Sequence, residues 1–522
     1  MKSNPWLIFS VLLLGIFVAL EANAFTTPAL PYISEYFGIS ISNSGILTLF
    51  ASAAAIALAP FFGRLGDQVG RKKVIVSGLV IFILAQSMKV ITPFVAVYII
   101  GSLLQGVGYA LIFPNVFAYI PELFKEHKRG KAIGLFMLFS YIATGTGGVI
   151  AGALVDNWGW RSVYIVSALI STIGLLLISV VVPPSTNKMK SELDYNGVSM
   201  FMLIISILVG LPLIYSNYGA TWLSIGMGIT ILLFLVFVRL QNRVTFPLLD
   251  LKLLKLRGVY IPSILIAAQN FMMLSILMSL TFLASDIPDM NALQVGMITT
   301  VLFSTAAILA PIIGAMLDRY NPVYLVFVSL GLGFVGIILY MTINTNSSLI
   351  SLLTVMIFVG GCSSLLNASL MKIVINFTPD DKKGVGTGTF SLFKDLGLPI
   401  GATLGMTIYG TSTSSGMDSA LKETATELGL NFEQTTLLLN ANDMGESTAE
   451  LDGILSQLNV QFTELLNSAN AESVSFGIQV LGSINLVIFI ILTILSLGLL
   501  KMKRRQNDVQ KVQSEFVEKV VN

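Results

Sequence analysis

Long apolar runs are the feature that most constrains the fold of this chain. Fourteen stretches of about 20 predominantly apolar residues follow one another, each long enough for a helix to cross the hydrocarbon core of a bilayer. The runs lack the short alternation that is typical of a membrane barrel. Charged residues make up only 11% of the chain, against roughly 25% in soluble domains. We therefore expect an all-α integral membrane protein with fourteen transmembrane helices.

The first span begins close to the N-terminus, where two interpretations compete. Lys2, the apolar run after it and the small residues of "EANA" fit a cleaved signal peptide. The apolar stretch continues to about Pro31, which favours an uncleaved first helix. The expected spans are residues 6–31, 43–62, 73–92, 94–119, 131–154, 161–183, 196–216, 220–239, 258–284, 293–317, 322–343, 348–376, 384–410 and 475–500.

Several function classes are excluded by what the chain lacks. It has one cysteine, Cys362, and one histidine, His127, so neither an intrachain disulfide nor a cysteine or histidine metal site is expected. It has no phosphate-binding loop of the G-x-x-x-x-G-K-[ST] type and no nucleophile elbow. The net charge of +2 does not indicate nucleic-acid binding. We expect no enzyme activity, no cofactor and no metal.

Cationic residues set the expected orientation, because they favour the cytoplasmic side. The side that holds both termini collects most of them, and the other side receives little more than Lys89, Arg161 and Lys422. We therefore place both termini in the cytoplasm. The cations on that side are Lys2, the Arg71–Lys73 cluster, Lys125 to Lys131, Lys188, Lys190, Arg239 to Arg257, Arg319, Lys382, Lys383 and the tail "KMKRR".

An internal repeat predicts how the spans are grouped. "GRLGD" at 63–67 recurs as "GAMLD" at 314–318, and "KRGKAIGLF" at 128–136 recurs as "KKGVGTGTF" at 382–390. Repeated halves with a binding site at their interface are typical of secondary transporters. The boundaries we expect are a six-helix half at 1–185, two additional helices at 186–245, a second six-helix half at 246–500 and a cytoplasmic tail at 501–522.

The connection at 411–474 is polar and acidic. It contains ten acidic residues and a single lysine, Lys422, for a net charge of −9. Apolar residues recur at helical spacing in "ELGLNFEQTTLLLN" and "LDGILSQLNVQFTELLN", which predicts an outer hairpin of two amphipathic helices. Such a hairpin is either a solvated cap or a field that attracts cations to an entrance.

The stretch "GRLGDQVGRKK" at 63–73 carries a more specific signal. Its pattern G-x-L-x-D-x-x-G-R-K, after the second span and on the cytoplasmic side, resembles the loop signature of the major facilitator superfamily. The residues that carry the resemblance are Gly63, Leu65, Asp67, Gly70, Arg71 and Lys72. The resemblance implies a conformational latch, in which Asp67 binds the N-terminus of the helix that starts near Gly384. Arg71 can hold the Asp67 carboxylate in place, and Asp318 would be a weaker echo in the second half.

Other stretches resemble the fourteen-helix drug:proton antiporters of this superfamily. "LDYNG" at 193–197 and "PLLDLKLL" at 247–254 flank the two additional helices in the manner of that family. Two departures weaken the match: Ser102 stands in "SLLQGVG" where the family usually has an arginine, and "GTGGVIAG" lacks the usual proline. Its glycines still form a small-residue surface for close helix packing, through Gly145, Gly147, Gly148 and Gly152.

Three charged residues fall inside expected spans. A charge at a helix centre costs about 2.5–3.5 kcal/mol on insertion scales, so such residues are expected to face a cavity or one another. Glu21 and Asp395 are our candidates for proton coupling, and Glu21 also for substrate binding. Lys394 is either a structural partner for a carboxylate or a docking point for an anionic substrate. Since neighbours on a helix point about 100° apart, we expect Lys394 and Asp395 not to pair side by side.

Neutral polar residues complete the expected substrate site. They are Asn23, Gln105, Tyr109, Gln269, Asn270 and Asn367, each of which could instead form an interhelical hydrogen bond. The sequence thus predicts a multi-pass, monomeric cell-membrane transporter that exports amphipathic or cationic compounds in exchange for protons. The alternatives are a metabolite, lipid or organic-anion transporter of the same fold, and a non-transporting membrane receptor.

Overall fold

A computed structural model of the chain describes most of its length. The described residues are 4–184, 194–242, 244, 255–287, 290–378, 383–444, 451–452, 454–455 and 461–521. Over these residues the fold is helical, and the helices are α1 Pro5–Tyr36, α2 Ile46–Val69, α3 Arg71–Ile91, α4 Val95–Leu123, α5 Glu126–Trp158, α6 Arg161–Val181, α7 Tyr195–Tyr218, α8 Ala220–Gln241, α9 Arg257–Asp286, α10 Ala292–Arg319, α11 Pro322–Met341, α12 Leu349–Phe377, α13 Lys383–Glu427, α14 Phe432–Met444 and α15 Phe462–Val521.

Twelve described helices are long and apolar enough to cross a membrane. They are α2 to α12 and the first part of α15, up to Leu500. The expectation of an all-helical membrane protein is confirmed, whereas the count of fourteen spans is not established by this criterion. The two remaining long helices are α1, with 32 residues, and α13, with 45 residues.

The helix ends show why the chain turns where it does. Asn4 caps α1 by accepting the Trp6 amide at 3.0 Å, and Pro5 occupies the first helical position. Asn291 and Gln294 form a reciprocal capping box at the start of α10. Gly70 ends α2 with a φ of 101°, a conformation that only glycine adopts readily. These caps keep the connections between the helices short.

The helices pack into two groups with α9 at the centre of the second. Almost the whole length of α9 is buried, and its neighbours are α13, α12 and α15. In the first group, α4 packs against α2 and α3, while α1 packs against α5 and α6. The two groups meet mainly where α5 packs against α10.

The helices α7 and α8 form a separate pair. Phe201, Ile205 and Val209 of α7 pack against Leu49 and Ala53 of α2 in a small apolar cluster. Most of α8 remains exposed on its outer surface, as expected for a helix that contacts lipid. At the start of α7, Asp194 accepts the Gly197 amide at 2.8 Å and the Gln241 side chain at 2.7 Å, which ties the two helices together.

The acidic segment at 411–474 differs from the hairpin that we expected. Helix α13 continues without interruption to Glu427, and α15 already begins at Phe462. The chain reverses at Gly429, whose φ is 71°, within the first predicted amphipathic helix. Leu421 of α13, Leu438 of α14 and Leu465 of α15 share one apolar core. The segment is therefore built on two long helices, because their apolar faces extend beyond the expected spans. Residues 453 and 456–460 of the second predicted helix lie outside the described residues.

Candidate functional site

A cavity of about 330 Å³ lies between the two helix groups. Its wall is mainly apolar and includes Met273, Leu277 and Met278 of α9 and Phe303 of α10. Small hydroxyl residues of α1 and α2 face the same space. The polar and charged side chains that line it are Thr26, Thr27, Thr48, Ser52, Lys89, Ser102, Gln105, Thr144, Asn270, Ser363, Ser364, Asn367, Lys394 and Asp395. An apolar cavity with a few polar groups suits an amphipathic ligand.

Most of the predicted site residues lie at this cavity. Gln105, Asn270, Asn367, Lys394 and Asp395 all line it. The side chains of Glu21 and Asn23 lie outside the described ones, although their backbone belongs to α1. Their neighbours Ala24 and Thr27 line the cavity, so this part of α1 reaches it.

Two predicted residues lie beside the cavity instead of lining it. Tyr109 stacks on Phe113 with ring centroids 5.3 Å apart, and both rings pack against an apolar cluster of the first helix group. Gln269 is 3% exposed, and its Oε1 has no hydrogen-bond partner among the described residues. A buried amide oxygen without a hydrogen-bond partner costs free energy, so the hydrogen bonding at Gln269 is incomplete among the described residues.

Lys394 and Asp395 pair with each other, contrary to our expectation. The Lys394 Nζ lies 3.5 Å from the Asp395 Oδ1. Neighbouring residues on a helix point about 100° apart, but four methylene groups let a lysine side chain bend back towards its neighbour. Both side chains remain partly exposed, at 33% and 47%. The Asn270 side chain donates a hydrogen bond to the Lys394 carbonyl at 2.8 Å, which fixes α9 against α13 at this level.

Lys89 is a cavity residue that sequence reasoning missed. We placed it with the loop residues of the outer side, yet it is 1% exposed and lines the cavity. Its Nζ donates to the Gln105 Oε1 at 2.5 Å and lies 4.9 Å from the ring centroids of both Tyr98 and Tyr164. Nothing in the sequence near the end of α3 distinguishes an inward lysine from one at the membrane surface.

The loop motif forms a network of charges at the end of α2. The Arg71 guanidinium contacts the Asp67 carboxylate at 2.8 Å and the Glu122 carboxylate of α4 at 3.0 Å. Lys72 donates to the Ser179 carbonyl of α6 at 2.8 Å. The side chains near Gly384 lie outside the described ones, so the expected contact of Asp67 with that helix start is not described. Glu122 is a member of the network that the motif did not indicate.

Two glycines of the loop motif lie at a helix contact and at a helix end, whereas Asp318, the matching aspartate of the second half, is exposed. A Cβ on Gly63 would contact Pro114 of α4 at 3.6 Å, and Gly70 needs its positive φ. Asp318 is 85% exposed, and its carboxylate lies 3.9 Å from Lys372. The ion pair of Asp318 with Lys372 is therefore looser than that of Asp67 with Arg71.

The glycines of α5 allow close contact with two other helices. A Cβ on Gly148 would lie 2.3 Å from the Gly296 carbonyl oxygen of α10, and one on Gly152 would lie 2.2 Å from that of Ala292. Gly145 faces Ser304 of α10, whereas Gly147 faces Ala24 of α1. A side chain at Gly148 or Gly152 would therefore force the two helix groups apart.

Asp156 completes this contact at the end of α5, and sequence reasoning missed it too. Its two carboxylate oxygens accept hydrogen bonds from the Ala292 and Leu293 amides at 2.7 and 2.9 Å. These are the first two residues of α10, so a carboxylate of one group caps a helix of the other. Further contacts at this end join Gly45 to Thr403 and Ser42 to Thr407. These contacts join the two helix groups at the Asp156 end of the bundle.

Within the part of the chain that the structure describes, no group of three or more histidine, cysteine, aspartate or glutamate side chains could hold an ion. The described wall of the cavity can bind a ligand through its apolar side chains, through amides and hydroxyls, and through the charges of two lysines and one aspartate.

Two packed helix groups around a central cavity are typical of membrane transporters that are built from two halves. The model of the Major Facilitator Superfamily matches residues 12–250 and 260–416. The chain belongs to this superfamily, as its loop motif indicated.

The chain is similar to bacterial transporters. The riboflavin transporter RibZ of Clostridioides difficile is 22% identical over 78% of this chain and 89% of that protein. The drug efflux pump JefA of Mycobacterium tuberculosis is 25% identical over 79% of this chain and 81% of that protein. Among solved structures, a bacterial homologue of the human lysosomal transporter Spinster, inward-facing and unoccupied, has a TM-score of 0.67 at 12% identity, with 96% of this chain and 98% of that chain covered.

Proposed function

We propose that this chain is a proton-coupled secondary transporter that exports amphipathic compounds, in the manner of a multidrug efflux pump. The observation that carries the proposal is the cavity, whose wall is largely apolar but holds a Lys394–Asp395 pair. An amphipathic molecule needs both kinds of surface. The similarity to the drug efflux pump JefA supports the export direction.

We also propose that α1 and α13 cross the membrane, which gives fourteen spans. Both helices contribute residues to the cavity, Thr27 from α1 and Asp395 from α13, and both are longer than a bilayer requires. An even number of spans and the cationic bias support two cytoplasmic termini. With this orientation the Asp156 end faces outward, so the structure corresponds to a conformation closed on the outside.

Proton coupling requires a carboxylate that can be protonated from one side and emptied to the other. Asp395 lines the cavity and is partly exposed to it. Glu21 is the second candidate, because it precedes the cavity residue Ala24 by three positions, nearly one helical turn. Protons that move inward would also draw on the membrane potential, which supplies about 2.3 kcal/mol per charge per 100 mV.

Reconstitution of the purified protein in liposomes tests this function. We expect an outward proton gradient to drive accumulation of a permanently charged amphipathic probe, either phenylhexanesulfonate or phenylhexyltrimethylammonium. Asp395→Asn or Glu21→Gln should abolish gradient-driven accumulation and proton release, while Glu35→Gln, an exposed carboxylate of α1, should behave as wild type. If both neutral variants still release protons and accumulate the probe, coupling through these carboxylates is wrong.

A second candidate function is transport of organic anions. The observation that favours it is the charge of the described cavity wall, where Lys89 and Lys394 face a single carboxylate, Asp395. The two liposome probes above separate this candidate from a cation exporter, because they share a phenylhexyl tail and carry head groups of opposite charge.

A further inference from the structure

Lys89 is held inside the bundle although it could reach the membrane surface. It lies two residues before the end of α3, where a lysine side chain normally extends towards water. Instead it is 1% exposed, and its ammonium group lies 4.9 Å from the centres of the Tyr98 and Tyr164 rings. The hydroxyl groups of these two tyrosines bond to each other at 2.7 Å, which fixes the rings around the charge.

The described part of the chain gives this buried charge no acidic partner. Among the described residues, no carboxylate lies within 4.0 Å of the Lys89 Nζ, and the ion pairs that the structure does describe involve Arg71, Lys372 and Lys394. Gln105 accepts one hydrogen bond from an ammonium group that can donate three. Buried lysines are rarely left without a counter-charge, since desolvation of the ion is costly.

A second cation, Arg161, lies beside the end of α3 that carries Lys89. The Arg161 guanidinium donates to the Val90 and Thr92 carbonyls, directly after Lys89 in the chain, and stacks on Tyr36 and Trp160. Across the cavity, Lys394 is balanced by Asp395. Lys89 is therefore the charge of the described wall that an anionic ligand could neutralise.

We propose that Lys89, with Gln105 and the rings of Tyr98 and Tyr164, is the subsite for the anionic head group of an amphipathic substrate. The apolar body of such a substrate would lie along the Met273, Leu277 and Met278 wall of α9. The head group would compete with Gln105 for the ammonium group and balance the one excess positive charge of the described cavity wall. The substrate class is thus an organic monoanion, and this assignment rests on the transport function proposed above.

Equilibrium binding to the full-length protein in detergent tests the subsite. The probes are phenylhexanesulfonate, neutral phenylhexanesulfonamide and phenylhexyltrimethylammonium. We expect wild type to bind the sulfonate at least about tenfold more tightly than the sulfonamide, and Lys89→Gln to reduce this ratio to about one while sulfonamide affinity is kept. Lys89→Arg should retain the preference, and so should Lys422→Gln, which removes an exposed lysine.

Three results would overturn the proposal. They are wild-type preference for the trimethylammonium probe, a sulfonate preference that survives in Lys89→Gln, and no sulfonate binding by wild type up to about 1 mM, the weak end of specific affinities. Even if Lys89→Gln fails to fold, the relative affinities of wild type for the three probes test the proposal. Binding in detergent needs no gradient, so intact sulfonate preference without proton-driven flux would refute the transport function and leave the subsite standing.

Discussion

Two aspartates at opposite ends of the bundle make different contacts in this structure. Asp156 accepts two backbone hydrogen bonds from the start of α10 in the other helix group. Asp67 pairs with Arg71 of its own group, and its side chain is 31% exposed. If access alternates between the ends, the first contact must break when the second carboxylate finds its partner.

Replacement of Asp156 should loosen the end at which it lies. Asp156→Asn removes the charge that favours a helix N-terminus, a contribution of about 1 kcal/mol, so the ratio of closed to open forms should fall roughly fivefold. The measurement is the rate at which a cysteine introduced at cavity position Thr27 reacts with a membrane-impermeant thiol reagent added at this end, in a Cys362→Ala background. Asn157→Ala alters an exposed neighbour and serves as the control. An unchanged rate would show that Asp156 does not hold the end closed.

Asp67→Asn should act in the opposite direction. Since Arg71 would lose one of its two carboxylates, closure of the Arg71 end should weaken and turnover in liposomes should fall. The same cysteine, probed from the Arg71 end, should react faster than in the parent protein. Full turnover with unchanged reactivity would contradict the latch. Glu122→Gln removes the other partner and tests whether the network acts as a unit.

Individual site residues could be predicted from the sequence only where they belong to a motif or where a charge falls within an apolar run. The pairing of Arg71 with Asp67 followed from the loop pattern, and the cavity positions of Lys394 and Asp395 followed from charges in an apolar run. Lys89 could not be found in this way, because its inward direction depends on Tyr98 and Tyr164, which lie on two other helices.

At the scale of elements, α5 and α10 form the main contact between the two groups. Their backbones approach so closely that glycine is needed at Gly148, Gly152 and Gly296. The Val149 amide also donates to the Thr300 hydroxyl of α10 at 3.0 Å. We expect this close contact to act as a seal between the two groups.

Gly152→Val should prevent this seal from forming. The new Cβ would lie 2.2 Å from the Ala292 carbonyl oxygen, and overpacking of this kind costs about 1–3 kcal/mol. We expect at least a fivefold loss of transport and increased cavity labelling from the Asp156 end. Gly174→Ala is the matched control, because a Cβ there meets nothing within 4 Å. Normal flux in Gly152→Val would mean that the seal is not part of the transport cycle.

Helix positions were predictable, whereas their ends were less so. The apolar runs located α2 to α12 because span length is fixed by the bilayer. The extension of α13 to Glu427 escaped prediction, since its last turns are held by apolar contacts with α14 and α15 that come from distant parts of the chain.

The acidic segment gives a prediction about charge at the proposed outer face. Glu423, Glu427 and Glu433 are exposed, so their field acts through solvent and is screened by salt. Neutralising all three to glutamine should change the transport rates of the sulfonate and trimethylammonium probes in opposite directions at low ionic strength and change neither at high salt. Equal effects on both probes at every salt concentration would indicate a structural cap without an electrostatic role.

At the scale of the whole molecule, the internal repeat explains how one cavity can serve two sides. The cavity lies between helix groups that each contribute charged side chains, Lys89 from the first and Lys394 with Asp395 from the second. A rocking motion of one group against the other would expose these charges to each side in turn. The sequence repeat predicted two halves. The residues that line the cavity could be identified only from the way the two halves pack together.

Alternating access of this cavity is the central claim, and paired distances across both ends test it most directly. Spin labels at Asn157 and Asn346 report on the Asp156 end, and labels at Lys128 and Arg319 report on the opposite end; all four side chains are exposed. Pulsed electron paramagnetic resonance on the Cys362→Ala protein in liposomes should show the first distance lengthening and the second shortening when the proton gradient and probe are applied. Distances that stay fixed, or that lengthen at both ends together, would contradict alternating access.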